Sequence, residues 1–399
     1  MKLTGVWALA LGVLLAFPVA QNAGAAGPRG IGDITPGTGT TDRMGGGDYV
    51  GFKLRDAWFG VVYGTEASPN GVSIISEMNR YVCGARVTRP DGSVVEDKPI
   101  IVRTMLAHQM ESMLEYSDRN ADEMVDDAYG NATAFEAEKA LSLRVAWTRS
   151  NVTEVAVPEG RAWQFSVYAE NVPYTYVWEA SDTGKLVRHN ATRDDGAVER
   201  IEFTFHVRVT EREYDNVSLP WFNISLERDA GRLRVGSAAR AGNRTYNGTA
   251  FDLGVKYDQL IQGWDFGGGN SKLAVGVRGI MGTHINERQQ AWMRERFQDR
   301  FMDRFGANGA ANMGGMMMGG NWTGGKRLLT RDRIECDDNW QRVGKFAWTS
   351  NAEVTDGGLV KNETVRFQLF RGERVFLDGF ETGAFSGFAF KGAYLYPQG

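Results

Sequence analysis

Histidine and cysteine are scarce, at four and two residues in a chain of 399. No two histidines stand three to five residues apart, which excludes a zinc site of the H-E-x-x-H type. There is no G-x-S-x-G elbow and no phosphate loop of the G-x-x-x-x-G-K type, and the glycines of GGGNSK at 267–272 lack that spacing. The formal net charge of −4 supplies no basic face of the kind nucleic acid requires. Beyond the N-terminal segment no apolar run reaches spanning length. One D-T-G occurs, at Asp182-Thr183-Gly184. Acid hydrolysis by paired aspartates needs two such loops behind apolar strands. Here Ser181 and Lys185 flank the only copy, so it reads as a polar hairpin turn, as does Asp194-Asp195-Gly196.

What is abundant is glycine, at 50 residues, together with Trp, Tyr and Phe. Glycine turns and aromatic residues point to many short strands joined by tight turns. Alternation supports this. In IEFTFHVRV, Ile201, Phe203, Phe205, Val207 and Val209 share one face, while Glu202, Thr204, His206 and Arg208 share the other. By the same parity Phe222, Ile224 and Leu226 face in, as do Val365, Phe367 and Leu369; Asn223 and Asn362 face out.

The N-terminus begins with Met1-Lys2, continues apolar from Leu3 to Ala20, and reaches a small-residue pattern at Ala23-Gly24-Ala25. We read residues 1–25 as a signal peptide, with a retained membrane anchor as the alternative. Nine N-x-[ST] patterns follow, at Asn131, Asn151, Asn190, Asn216, Asn223, Asn243, Asn247, Asn321 and Asn362. Composition alone would place about two, so N-glycosylation of an exported chain is expected over compositional accident. Asn216 is the least certain acceptor, because Pro220 follows closely. No acceptor lies between residues 26 and 130, which marks that stretch as a possible contact face.

Residues 26–47 lack apolar periodicity and read as a flexible linker. Beyond them lies an apparent internal repeat. AWTRSN at 146–151 returns as AWTSN at 347–351, WQFSVYAE at 163–170 as VRFQLFRGE at 365–373, LEYSDRN at 114–120 as IECDDN at 334–339, and PNGVSIISE at 69–77 as NSKLAVGVR at 270–278. This order suggests two tandem antiparallel β-sandwich-like domains, 48–236 and 249–399, with Trp147 and Trp348 at equivalent core positions. The join is placed at 237–248, an exposed linker holding NRTYNGT. The second copy carries an insert over 284–325. Thr283 to Gly306 reads as a long helix, capped by Asn286 with Gln289 three residues on, and striped by Phe297, Phe301 and Phe305 beside Trp292 and Met302. A Met/Gly loop follows.

Three groups have metal-ligand chemistry. In DRNADEMVDD, Asp118, Asn120, Asp122 and Asp126 occupy loop positions one, three, five and nine, a pattern that can wrap Ca²⁺. The run resembles the calcium loops of EF-hand, dockerin and thrombospondin-type repeats, though Glu123 replaces the turn glycine and Tyr129 the last acidic ligand. The alternative is an ordinary acidic turn or helix start. Met313, Met316, Met317 and Met318 form one thioether cluster, and Met105, His108, Met110 and Met113 another. Such groups can hold Cu(I), but gap-filling in a core and low-complexity loop are the stronger readings. Cys83 and Cys336 invite either one disulfide locking the halves or two separate buried thiols.

The sequon density, the AWT(R)SN strand ends and the GWDF segment at 263–266 resemble exported, N-glycosylated β-rich surface proteins of archaeal type. That resemblance implies no particular activity. The expected role is a secreted or cell-surface glycoprotein that binds, adheres or builds an envelope without catalysis, with an unknown protein or glycan as partner. Alternatives are a secreted hydrolase using paired carboxylates, which needs no sequence motif, or a metal-binding carrier.

Overall fold

The computed structural model describes residues 2–9, 31–54, 57–117, 125, 137–176, 178–180, 186–188, 195–229, 232–267, 271–285, 326–329, 333–338, 341–347, 351–356, 359–369 and 385–396. The described residues are mainly β, in ladders that are antiparallel except for one short parallel pairing, with two short 3-10 turns and no α-helix. The main sheet begins with β1 (Lys2–Leu9), β2 (Pro36–Thr41), β3 (Gly47–Lys53), β4 (Ala57–Tyr63), β5 (Val72–Thr88) and β6 (Val94–Ser117). It continues through β7 (Ala137–Ser142), β8 (Thr148–Arg149), β9 (Thr153–Val155) and β10 (Arg161–Tyr176). β11 (Trp178–Ala180) and β12 (Leu186–Arg188) form a separate hairpin. Then come the two longest strands, β13 (Gly196–Asp229) and β14 (Arg232–Asp265), followed by β15 (Ser271–Ile285). β16 (Lys326–Leu329), β17 (Arg333–Asp338) and β18 (Gln341–Ala347) make a three-stranded ladder of their own. β19 (Asn351–Asp356), β20 (Leu359–Thr364), β21 (Arg366–Leu369) and β22 (Phe385–Tyr396) rejoin the main sheet.

Pairing separates two groups of strands whose apolar faces meet. The first runs β2-β3-β4-β5-β6-β15-β22-β21. The second is β10-β13-β14, with β8 and β9 on β10 and β1 along the far side of β14. β7 joins them, because it pairs with β6 on one side and β10 on the other, and Trp221–Ser225 of β13 joins them again by running parallel to Gly84–Thr88 of β5. Period-two alternation then fills the space between. Phe52 of β3 lies 5.0 Å from Trp163 of β10, and His108 of β6 stacks on Tyr257 of β14 at 6.3 Å. Ile201, Phe203, Phe205, Val207 and Val209 are all buried, and Glu202, Thr204, His206 and Arg208 are not, as their parity requires. Val365 is buried and Phe367 packs against the same core.

The expectation of two tandem domains does not fit this arrangement. A single apolar cluster runs from Ile34 to Val365 and so draws on both expected halves. The matched segments land in unlike places. PNGVSIISE enters β5 and NSKLAVGVR enters β15, but these strands flank opposite sides of one strand, β6. LEYS closes β6, whereas IECDD is β17 of the separate ladder. Trp147 is buried, and Trp348 lies outside the described residues. The expected linker at 237–248 is exposed at Ala241–Thr245 but is no linker: it belongs to β14 and pairs with β13. The expected helix fares no better at its start, since Thr283, His284 and Ile285 extend β15 against β6 and β22; residues 286–325 lie outside the described residues. Part of the expected flexible linker is also ordered into β2, paired from Pro36↔Phe52 to Thr41↔Gly47.

Candidate functional site

The expected calcium ligands Asp118, Asn120, Asp122 and Asp126 fall outside the described residues, as do Met313, Met316, Met317 and Met318. Tyr116 pairs with Ala137 where β6 meets β7. Among the described residues no group of three or more His, Cys, Asp or Glu side chains converges. Of the second thioether group, His108, Met110 and Met113 belong to the interior, and only the backbone of Met105 is described. Leu106, His108 and Met110 alternate along β6 into the core, and Met113 joins them. Burial pushes the His108 imidazole down to about 3, so it is neutral at any ordinary pH. Cys83 sits in β5 beside Ile100, and Cys336 in β17 between Arg327 and Gly344; the two strands share no ladder.

Two close carboxylates in an apolar wall would suit the hydrolytic alternative, and Glu115 comes nearest to that description. It is fully buried on β6, with Lys139 of β7, itself 2% exposed, at 3.3 Å. Trp264 Nε1–H donates to Glu115 at 3.0 Å and the Gly267 amide donates at 2.6 Å. Lys139 also donates to the Asp265 carbonyl and lies over Tyr174 and Tyr176. Beside this, Glu138 accepts from Ser271 at 2.8 Å. Both oxygens of Glu115 are therefore held by protein donors, and no face is open to a substrate. The group clasps the GWDF turn, where the chain leaves β14 of one layer for β15 of the other. It is a structural ion pair whose removal from either side would strand a buried charge.

A second polar node surrounds Asn70. Its amide donates to the carbonyls of Met44 (2.8 Å) and Gly46 (2.9 Å), and its side-chain oxygen accepts from the Gly71 amide (2.9 Å) and from Gln109 (3.3 Å). Its backbone bonds Val145 and the Trp147 indole. This ties down a turn in which Met44, Gly45, Gly46 and Gly47 all have positive φ, and a Cβ on Gly47 would sit 2.1 Å from the Tyr63 carbonyl oxygen. The turn lies over the outer face of β3–β6. There Arg43 stacks on Trp58 at 4.4 Å and pairs with Glu77 at 3.1 Å. Trp58 lies flat over Gly60 and meets Tyr49 edge-on at 5.9 Å, and Tyr49 in turn covers Gly39 and Gly51. These half-buried rings shield Val62, Ile75 and Ala107 and present an aromatic, ion-paired surface.

The outer face of β10–β13–β14 is polar instead. Ser166 and Thr204 share a hydrogen bond of 2.9 Å, His206 bonds Asp258 at 2.9 Å, and Arg200 lies over Tyr168 at 3.8 Å between Glu170 and Glu202. Oppositely charged cross-strand neighbours of this kind make a solvated sheet face.

The described asparagines of the N-x-[ST] patterns lie away from these two clusters. Asn151, Asn216, Asn223, Asn243 and Asn362 are all exposed. Asn131, Asn190 and Asn321 lie outside the described residues, and only the backbone of Asn247 is described. Four acceptors crowd the far end of the β13–β14 hairpin. Asn243 pairs across with Pro220, Asn223 with Ala239, and Asn247 faces the bulge between Tyr214 and Val217 that contains Asn216. None falls on β2–β6. The N-x-[ST] patterns are visible in the sequence, whereas Glu115, Lys139 and Asn70 carry no local motif. The available signals were a buried-looking Trp in GWDF and an Asn-Gly turn in PNG. Comparison with protein-family models, with curated proteins and with solved structures finds no match to this chain.

Proposed function

We propose that the chain is a secreted or cell-surface glycoprotein that binds, adheres or contributes to an envelope without catalysis. One observation carries this reading. Every acceptor asparagine whose side chain is described is exposed, none lies on β2–β6 itself, and four gather on one hairpin, where Asn223 is the ladder neighbour of Arg86 in β5. Sugar there would be tolerated sterically, whereas the aromatic face of Tyr49, Trp58, Arg43 and Glu77 would stay open for a protein or glycan partner. The burial of Glu115 behind Trp264, Gly267 and Lys139 argues against using it for hydrolysis. Cleavage near Ala26 would remove β1 and open the 257–265 edge of β14, to which β1 pairs from Leu9↔Tyr257 to Lys2↔Asp265. N-terminal sequencing with peptide mapping of protein from its native host tests the reading. A start near Ala26 with sugar on several of the nine asparagines is expected. An intact N-terminus with bare asparagines would contradict it.

A further inference from the structure

We infer that the sugars of the β13–β14 arm are added before that hairpin closes, so that the arm's acceptors are substrates of the unfolded chain and not of the folded one. This rests on the glycosylation reading above. The transfer joins the Asn Nδ2 to the anomeric carbon of a lipid-phosphate-linked oligosaccharide. The new N–C bond forms as the sugar–phosphate C–O bond breaks. The bonding pair leaves with the lipid phosphate, and Nδ2 gives up one proton to it or to solvent. A transferase must therefore lift the asparagine amide out of the chain while gripping the hydroxyl two residues on.

In the folded arm those groups are engaged with each other. Asn243 Nδ2 donates to Ser218 Oγ at 2.9 Å, and Ser218 supplies the hydroxyl of the Asn216 pattern. Ser225, the hydroxyl of the Asn223 pattern, shares a hydrogen bond of 2.7 Å with Ser237. The backbone is committed as well, since residues 217–221 pair without interruption to 246–242. Bending any of these tripeptides into a transferase would mean opening the ladder. Asn151 provides an internal contrast. It stands exposed in irregular chain between β8 and β9; its Thr153 is also exposed and pairs with Gln164 only as the first residue of the three-residue β9, so no long ladder need open there. After modification Nδ2 keeps one N–H, so the bond from Asn243 to Ser218 can re-form with sugar attached.

The test uses the full chain made by cell-free synthesis, with a detergent-solubilised oligosaccharyltransferase and a lipid-linked oligosaccharide donor. The enzyme is added either during synthesis or after release and folding, and occupancy at each asparagine is read by mass spectrometry. The inference predicts occupancy of Asn223, Asn243 and Asn247 about tenfold or more lower when enzyme is added late, with Asn151 changed by less than about twofold. Equal late and early occupancy on the arm would overturn it. Sugar on Asn151 alone in both samples would also overturn it while leaving the glycosylation reading standing. No sugar at any asparagine in either sample would remove both.

Discussion

The β2–β6 face and the far half of the β13–β14 hairpin are built from the same period-two pattern and differ in what covers them. On the face, glycines at 39, 51 and 60 make room for Tyr49 and Trp58 to lie flat, and Arg43 and Glu77 close over them. On the hairpin, β10 stops pairing at Val209, and β5 meets β13 only at Trp221–Ser225. Between these contacts β13 has β14 as its ladder partner, and beyond the half-buried Thr210 its described side chains, Glu211, Arg212, Glu213, Asp215, Asn216 and Ser218, are exposed. One surface is organised by side chains that pack on side chains, the other by backbone ladder with water on the flanks. The acceptor patterns of Asn216, Asn243 and Asn247 follow the second kind of surface, while Asn223 lies where β13 pairs with Arg86 of β5. A bulky sugar needs a position where nothing else must fit, and an extended hairpin supplies several.

The sharpest way to break this contrast is to disturb the interior that carries both regions. Lys139→Met leaves the Glu115 carboxylate buried without its cation and is expected to cost about 3–5 kcal/mol by denaturant unfolding. The paired change Glu115→Leu with Lys139→Met should cost less than the sum of the single changes. A strictly additive cycle would mean the two groups do not act as a unit.

Acid tests the interior in another way. The His108 imidazole, held near 3 by burial, has an unfolded value near 6.5. Between those values the unfolded chain binds a proton that the folded chain refuses, so this group's contribution is complete above about 6.5 and is lost as pH falls toward about 3, at up to about 1.4 kcal/mol per unit. Melts of the parent and of His108→Gln across that range should show the shallower slope for the variant. Identical slopes would remove His108 as the cause.

The arm should respond least to substitution. Asn223→Gln and Asn243→Gln are each expected to shift the stability of bare protein by no more than about 0.5 kcal/mol, because both side chains are exposed. A loss near the Lys139 effect would show that the arm is packed in a way its exposure conceals. The smallest effect is expected from calcium at Asp118, Asn120, Asp122 and Asp126. A site weakened by Glu123 and Tyr129 would bind on the order of 10⁻⁴–10⁻³ M and stabilise only where calcium exceeds that range. A small rise in Tm at millimolar calcium, abolished by Asp122→Ala, is the expected outcome; no shift in the parent returns the loop to an acidic turn.

Some of this was legible in the chain and some was not, for reasons that recur. The buried set from Ile201 to Val209 could be read directly, because one buried face imposes strict alternation. Exposure of Asn223 and Asn362 followed from the same parity. Alternation reports a period and says nothing of the partner. PNGVSIISE and NSKLAVGVR look alike and both line β6, so likeness of strand environment imitates duplication of a domain. PGTGTT at 36–41 looked like linker because its glycines carry no pattern; Gly39 is small so that the Tyr49 ring can lie against it, 3.1 Å from where a Cβ would stand. Glu115 and Lys139 are 24 residues apart and reach Trp264 only through the fold, so no local spacing announces them. The same holds for Asn70, whose partners come from residues 44–46, 109 and 145–147.

The central claim is that sugar occupies the exposed asparagines outside β2–β6. Site-by-site occupancy of the native protein by peptide mass spectrometry tests it most directly. The account predicts sugar on several of Asn151, Asn216, Asn223, Asn243, Asn247 and Asn362, with an intact mass well above that of the peptide. A native mass equal to the bare peptide would contradict it.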